Sequence, residues 1–430
     1  MSFSNTGPGA NSNDPATTIV VGAGPAGALL AFLLARSGVP VTLIERHQEF
    51  AREFRGEGLS PGGQAMFREA GLWQQFAALP HVTFKRMQLY FKSRKIIDTP
   101  LATHSDTPAA RFVSQPAMLE MIVSEAEKFS SFQFVRGGKT IGLLKDDDRV
   151  RGVRIRTNKA EIDLPGRYVF AADGRYSLVR RQAGLDQPKS PQSFDVFWCH
   201  LPFPPFYDTS EPCMRGYFGN GRVAVFIPSH NHKLQVGWII EKGSFRNFRR
   251  TGMAEWIERI ADFVDDEMAA FLRDNKENAG QPFLLDVVSD IYETWSVPGL
   301  TLLGDAAHPM SPFGAQGINL ALRDAVVMAN HFVPALRGGS SVQALDAAAL
   351  AFDHERRPEI QQIARYQAMA PKFQLSTSRW VDVAAIGMRL ANASGLAFLA
   401  SKLGSKFRHP MVHGVSDIRL KVSGEKPVQL

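Results

Sequence analysis

The apolar positions of this chain fall into short β-branched blocks separated by longer Ala- and Leu-rich ones. Thr17 to Val21 reads as a strand, Ala26 to Ser37 as a buried helix that Gly38 ends as a C-cap glycine, and Val39 to Ile44 as a second strand closed by Glu45. Strand, glycine turn, helix and strand make one βαβ unit. Val82 to Phe91 has the composition of a strand, and residues 141 to 171 read as two or three more, with a turn at Asp146, Asp147 and Asp148. Arg149, Arg151, Arg154 and Arg156 then follow the pattern of a solvated strand face rather than an anion site. Residues 193 to 240 are the most β-like stretch. Turns at Gly219-Asn220-Gly221 and at Ser229 to His232 bracket Arg222 to Ile227, and Leu234 to Ile240 follows, which predicts an antiparallel meander. A helix is expected over Ala254 to Arg273, a buried strand over Leu300 to Leu303 and a long helix over Ile318 to Leu336. The remainder reads as mixed helix with an apolar stretch from Val383 to Leu403, and residues 1 to 16 read as a disordered leader.

Composition narrows the class. With 430 residues, 44% hydrophobic and 21% charged, the chain is neither disordered, fibrous nor a coiled coil, and it is long enough for a large core. The net charge of +7 is spread thinly, which argues against a nucleic-acid partner. Its two cysteines, Cys199 and Cys213, are too few for a disulfide framework or a four-thiolate zinc site. Buried free thiols and a cytoplasmic location are expected. The apolar run Ile19 to Ala35 is short for a bilayer and broken by Gly22, Gly24, Pro25 and Gly27, and residues 1 to 18 lack the Lys or Arg of a signal peptide. His230-Asn231-His232 sits at a turn without an acidic cluster, so no metal is expected.

Three motifs carry chemistry. Gly22-Ala23-Gly24-Pro25-Ala26-Gly27 lies between a strand and a helix, and Glu45 ends the next strand. That context is the dinucleotide fingerprint: glycines for a tight turn and close backbone approach, a helix N-terminus for the pyrophosphate, and an acid for the ribose. Gly219 to Ala224 matches the same spacing but runs into a strand, so it is a hairpin turn. Asp173-Gly174-Arg175 with Ser177 and Arg180, and Gly304-Asp305 running into Pro312-Phe313-Gly314-Ala315-Gln316-Gly317-Ile318-Asn319, each place an Asp at the carboxyl end of a strand. Ligands bind there in open α/β sheets.

In this order the motifs resemble the class A (single-component) flavoprotein monooxygenases, the family of p-hydroxybenzoate hydroxylase and the ubiquinone-biosynthesis hydroxylases, over most of residues 17 to 365. The resemblance implies an α/β fold: a Rossmann-like FAD-binding domain of the GR2/PHBH type with an inserted antiparallel-sheet substrate domain. The FAD domain would take residues 17–80, 101–185 and 296–365. The substrate domain would take 81–100 and 186–295, leaving 366–430 as a C-terminal helical segment and tail.

By the same resemblance Gly22, Gly24, Pro25, Ala26, Gly27, Glu45 and Arg46 hold the ADP half of FAD. Arg55, in Arg-Gly-Glu-Gly, and Gln115 reach the cofactor. Asp173, Gly174, Ser177 and Arg180 form the motif linked to FAD and NAD(P)H, and Gly304 and Asp305 bind the ribityl chain. Pro312, Gly314, Gln316, Gly317, Ile318 and Asn319 lie beside the isoalloxazine, where the helix end stabilises the anionic reduced ring. In that family NAD(P)H reduces FAD, and O2 forms a C4a-hydroperoxide that hydroxylates an electron-rich, usually aromatic, small molecule in a dry cavity.

Phe197, Trp198, Tyr217, Phe218, Phe226 and Trp238 are candidates for a substrate roof. No catalytic residue stands out; His200, Tyr217 and His308 are weighed as bases, though a structural role suits each better. Related flavoenzymes remain as alternatives. A geranylgeranyl-reductase-like enzyme is one. A halogenase-like one would lack its Gly-Trp-x-Trp-x-Ile-Pro motif, because Gly237-Trp238 continues as Ile239-Ile240. A non-catalytic binder like the Rab GDP-dissociation inhibitors would not need Asp305 and its glycine loop. The apolar stretch before Lys406, Phe407 and Arg408 is expected to pack on the FAD domain rather than on a membrane.

Overall fold

The computed structural model describes residues 17–50, 57–100, 109–188, 190, 192–393 and 410–423. The leader, Arg55 and residues 394–403 of the apolar stretch lie outside the described residues.

Thr18–Val21 is buried along its whole length because it is paired in parallel on both sides, with Val41–Glu45 and Tyr168–Ala171. Helices cover both faces of such a sheet, so its strands are continuously apolar instead of alternating. The six-stranded order is Ser296–Val297, Leu300–Leu302, Tyr168–Ala171, Thr18–Val21, Val41–Glu45 and Phe132–Arg136, with only the first pair antiparallel. Helix Pro25–Arg36 packs on this sheet and against Gln316–Arg337 and Gln115–Ala126. Leu29, Leu30, Leu33 and Leu34 are fully buried there. Each contributes about 1.5–3 kcal/mol of burial.

The second body is a seven-stranded sheet in the order Phe283–Leu285, Phe194–Pro202, Lys233–Glu241, Arg222–Pro228, Cys213–Gly219, Arg86–Phe91 and Arg94–Pro100. It is antiparallel except where Cys213–Gly219 meets Arg86–Phe91. Asn220 and Gly221, with φ of 52° and 73°, close the central hairpin with both turn residues left-handed. One face is sealed by helices Phe245–Ala261 and Asp266–Asp274. On the other face Phe194, Val196 and Trp198 cluster with Phe313 and Leu375, and Phe218 and Val223 cluster with Phe373 and Val381.

Three elements differ from the sequence reading. Val82 to Phe91 is two strands: His81–Thr83 pairs with Arg111–Val113, and Arg86–Phe91 joins the large sheet. Phe84 divides them by turning into the core against Phe112. The stretch read as two or three strands over residues 141 to 171 holds four, Lys139–Asp146, Arg149–Arg156, Glu161–Pro165 and Tyr168–Ala171. The expected helix over Ala254 to Arg273 starts where the sequence places it, just after Gly252 (φ 83°) breaks it from the turns that begin at Phe245, but it stops at Ala261, and Asp265 starts the next helix by accepting the N–H of Met268 at 3.1 Å. Of the two free cysteines, Cys199 is buried but Cys213 only half so. Arg154 and Arg156 form exposed cross-strand pairs with Asp163 and Glu161, whereas Arg149 reaches Asp346.

Helix Arg379–Ala393 buries Val381 and Ala385 and exposes Trp380, Val383, Ile386 and Leu390. Among the described residues, no helix is long and apolar enough to cross a membrane.

Candidate active site

The three glycine motifs meet. A side-chain carbon added at Gly27 would lie 1.9 Å from the carbonyl oxygen of Gly22, and one at Gly22 would lie 2.5 Å from that of Ala172, beside Asp173. One at Gly304 would lie 3.0 Å from Ala26 Cβ, and one at Gly317 would lie 3.8 Å from Asp305 Oδ1. Arg175, of the second motif, reaches Asp305, of the third, with Nη2 3.6 Å from Oδ2. Segments far apart in sequence therefore converge on the carboxyl ends of the parallel strands.

Gly24 stands out within this crowd. It is the N-cap of helix Pro25–Arg36, it has no side chain with which to cap the helix, and no heavy atom lies within 4 Å of where a Cβ would be. A helix N-terminus opening onto free space fits a pyrophosphate. Glu45 flanks it: its carboxylate accepts the N–H of Ala23 and that of His47, both at 3.1 Å. Arg46 is exposed and donates to His47 at 2.8 Å. Gln115 is the half-buried first residue of its helix, whose cap is Ser114.

Asp173 is turned inward. It accepts the hydroxyl of Ser177 and the N–H groups of Leu178 and Val179, capping helix Leu178–Gln182. Burial pushes its carboxyl pKa up, and those bonds offset this only in part. Arg180 is buried over the ring of Tyr292 and donates to the carbonyl of Ala306 at 3.0 Å, bracing the Gly304-Asp305 turn.

In the third loop Gly314 and Ala315 both take positive φ, 73° and 52°, just before helix Gln316–Arg337. A left-handed alanine is unusual, and Asn319 holds it. The Asn319 amide donates to the carbonyls of Ala315 (2.7 Å) and Gly58 (3.2 Å), and its oxygen accepts from Ser60 N (2.9 Å) and Oγ (3.1 Å). Gln316 donates to Gly314 O (2.8 Å) and Met411 O (2.9 Å), and Met411 fills the space that a side chain on Gly314 would need. The Ile318 side chain is in the core, leaving only its backbone for the site. Pro312 precedes Phe313, whose ring meets Phe194 of the large sheet edge-on at 5.5 Å. This contact joins the loop to the underside of the sheet.

The roof differs from expectation. Phe197, Tyr217, Phe226 and Trp238 lie on the helix-covered face, packed with Trp256, Ile260 and Leu272. Strand alternation puts Trp198 and Phe218 on the opposite face. Two of the weighed bases are also removed: Tyr217 donates to Asp265 at 2.5 Å, and His308 is buried against Asp324 at 2.7 Å. His200 stays on the inner face, where burial, Lys233 and His230 push its pKa down to about 4. One residue the sequence reading passed over stands beside it: Glu57, bonded to Gln235. Its only local signal is its place in Arg-Gly-Glu-Gly.

Residues 15–367 match the family model described as the FAD binding domain. The chain is 33% identical over 372 residues to 6-methylpretetramide 4-monooxygenase of Streptomyces rimosus, covering 84% of each. Among solved structures, p-nitrophenol 4-monooxygenase PnpA of Pseudomonas putida superposes with a TM-score of 0.76 at 19% identity, over 93% of this chain and 100% of that one. PqsL of P. aeruginosa, in complex with 2-aminobenzoylacetate, gives a TM-score of 0.74 at 21% identity, over 85% and 98%. The chain belongs to the class A flavoprotein monooxygenases, and it is an FAD-dependent monooxygenase.

Proposed function

We propose that this enzyme uses NAD(P)H and O2 to hydroxylate an aromatic or similarly electron-rich small molecule in the space between the Pro312–Asn319 loop and the inner face of the seven-stranded sheet. The observation that carries this is the convergence of Ala26, Gly304, Asp305 and Gly317 at the carboxyl ends of the parallel strands, with Phe313 of the adjoining loop packed on Phe194 of that sheet. The Streptomyces rimosus relative, named as a monooxygenase of 6-methylpretetramide, supports an organic small molecule as the substrate.

FAD, when bound and reduced, supplies the oxygen-activating chemistry at its C4a position. The chain's own residues do the rest. The open N-terminus at Gly24, with Pro25, Ala26 and Gly27 behind it, takes the pyrophosphate. Glu45 takes the ribose diol, with Arg46 and Gln115 on its flank. Asp305 binds the ribityl hydroxyls, held in place by Arg175 and by Asp173 and Arg180 beneath it. Gly314 and Gly317 let the backbone lie against a flat ring, and the N-terminus of Gln316–Arg337 stabilises negative charge there. Phe313, Phe194 and Trp198 exclude water from the reacting atoms.

The test is to purify the chain, assay for bound FAD, and follow NADH and NADPH oxidation across a panel of hydroxyarenes under labelled oxygen gas. One labelled oxygen atom in the product is the expected result. Hydrogen peroxide as the sole product with every arene would overturn the hydroxylase reading.

A further inference from the structure

We propose that Glu57, placed where the flavin-side segment meets the inner face of the sheet, accepts the proton from a hydroxyl group of the aromatic substrate. This rests on the hydroxylase reading above and adds to it the residue that ionises the ring.

The placement comes from both neighbours of Glu57. Gly58 lies against the flavin loop, because a side-chain carbon there would meet Ala315 Cβ at 3.2 Å. The Glu57 backbone is fixed by the N–H of Val113, which donates to its carbonyl at 3.0 Å. The side chain then crosses to the sheet, where Oε2 accepts the Gln235 amide at 2.5 Å. Gln235 is paired across the sheet with His200 on one side and Ile227 on the other. The rest of this face is apolar, with Phe194, Val196 and Trp198 meeting Phe313 and Leu375. A carboxylate at the edge of such a surface needs a reason, and Oε1 has no partner among the described residues.

The electrostatics agree with the geometry. Burial pushes the Glu57 pKa up, the Gln235 amide holds it down, and the result is about 6. A base with a pKa near the working pH combines availability with driving force. Titratable groups on the packed elements are His200 on the sheet, with Lys233 and His230 behind it, and Arg111 on the neighbouring strand, whose guanidinium lies over Trp73. In the proposed step the substrate O–H bond breaks, the oxygen keeps the electron pair as a phenolate, and the proton forms a new bond to Glu57 Oε1. The phenolate ring is then the stronger nucleophile toward the activated oxygen.

The experiment uses the FAD-loaded full chain, with 4-nitrophenol and 2-naphthol as probes. Calorimetry of 4-nitrophenolate binding at about pH 8, in buffers of different ionisation enthalpy, counts protons taken up. Two negative charges in one buried site force one to be neutralised. The wild type should take up about one proton per bound anion, and Glu57→Gln none. Glu57→Gln should also lower 2-naphthol turnover by about 100-fold. At alkaline pH it should lower turnover of the already ionised 4-nitrophenol by less than about 5-fold, a split that a merely structural defect would not produce. Gln235→Leu, which removes the one bond lowering the Glu57 pKa, should move the acidic limb of the 2-naphthol profile to higher pH. Proton uptake equal in wild type and Glu57→Gln, no uptake or no binding in the wild type, or equal losses with both probes would overturn the role of Glu57. A protein that takes up no FAD would instead overturn the reading beneath it.

Discussion

The backbone N–H of Gly304 donates to the carboxylate of Asp324 at 3.0 Å, so the turn that carries Asp305 hangs from a fully buried charge. The same carboxylate receives His308 Nε2 at 2.7 Å and Arg356 Nε at 2.8 Å. Arg356 also pairs with Glu359, which Arg323 and the N–H of Val415 reach at 2.7 Å each. Asp324→Asn should destabilise the protein by about 3–5 kcal/mol, because it leaves Arg356 short of a counter-charge in a dry interior. Thermal unfolding checks this. Flavin release should begin below the main transition, since the ribityl-side turn loses its anchor. An unchanged melting temperature would remove Asp324 from this role.

The same residue sets an acid limit. Burial raises the Asp324 pKa, but His308 and Arg356 outweigh it and hold the value at about 2, against an ordinary value near 4. A depressed folded-state pKa gives stability that is complete above the unfolded value and is lost as pH falls through the folded one. Denaturant unfolding free energies should therefore fall steeply between about pH 4 and pH 2. In Arg356→Met that dependence should flatten.

Two alanine substitutions in one motif should behave oppositely. Gly24→Ala enters open space at an ordinary backbone angle (φ −71°), so the melting temperature should hold. FAD affinity should drop at least tenfold, about 1.4 kcal/mol, as the methyl group occupies the pyrophosphate's ground. Gly27→Ala places its methyl 1.9 Å from a backbone oxygen and should cost stability outright, by 1–3 kcal/mol or about that. Flavin titration and calorimetry on both variants give the answer. Equal FAD affinity in Gly24→Ala and wild type would move the pyrophosphate elsewhere.

Gly237 sets the lie of a wall residue. A methyl group there would come within 2.7 Å of the six-membered ring of Trp198. Gly237→Ala should swing the indole away from the strand, changing KM and the ratio of product to peroxide several-fold, while the melting temperature moves by only a few degrees. Steady-state kinetics with product quantification checks it.

What the sequence revealed follows from the range over which each signal acts. The βαβ unit, the hairpin at Asn220-Gly221 and the glycine motifs are written in neighbouring residues, so spacing alone exposes them. Alternation along Phe194–Pro202 and Lys233–Glu241 announces two faces but not which one the helices cover, so nothing local separates Phe197 and Trp238, under the helices, from Trp198 on the opposite face. Glu57 reads as an ordinary loop acid until the fold delivers Gln235, 178 positions later in the chain. Asp324 looks like a charge on an amphipathic helix until Arg356 arrives from the next helix. Residues 410–423 have too little periodicity to announce any packing, yet they pack closely: Gly62 lies against the carbonyl of His413, and Arg323 donates to that of Ser416 at 2.6 Å.

That last segment matters for anyone handling the protein. Through Gln316 it grips the ring-side loop from behind, and through Val415 it touches the buried charge cluster that suspends Asp305. An affinity tag or protease scar close to Met411 would pull on the cofactor's cradle from the rear. Colour lost from a preparation whose fold still looks sound would point first to damage at that end.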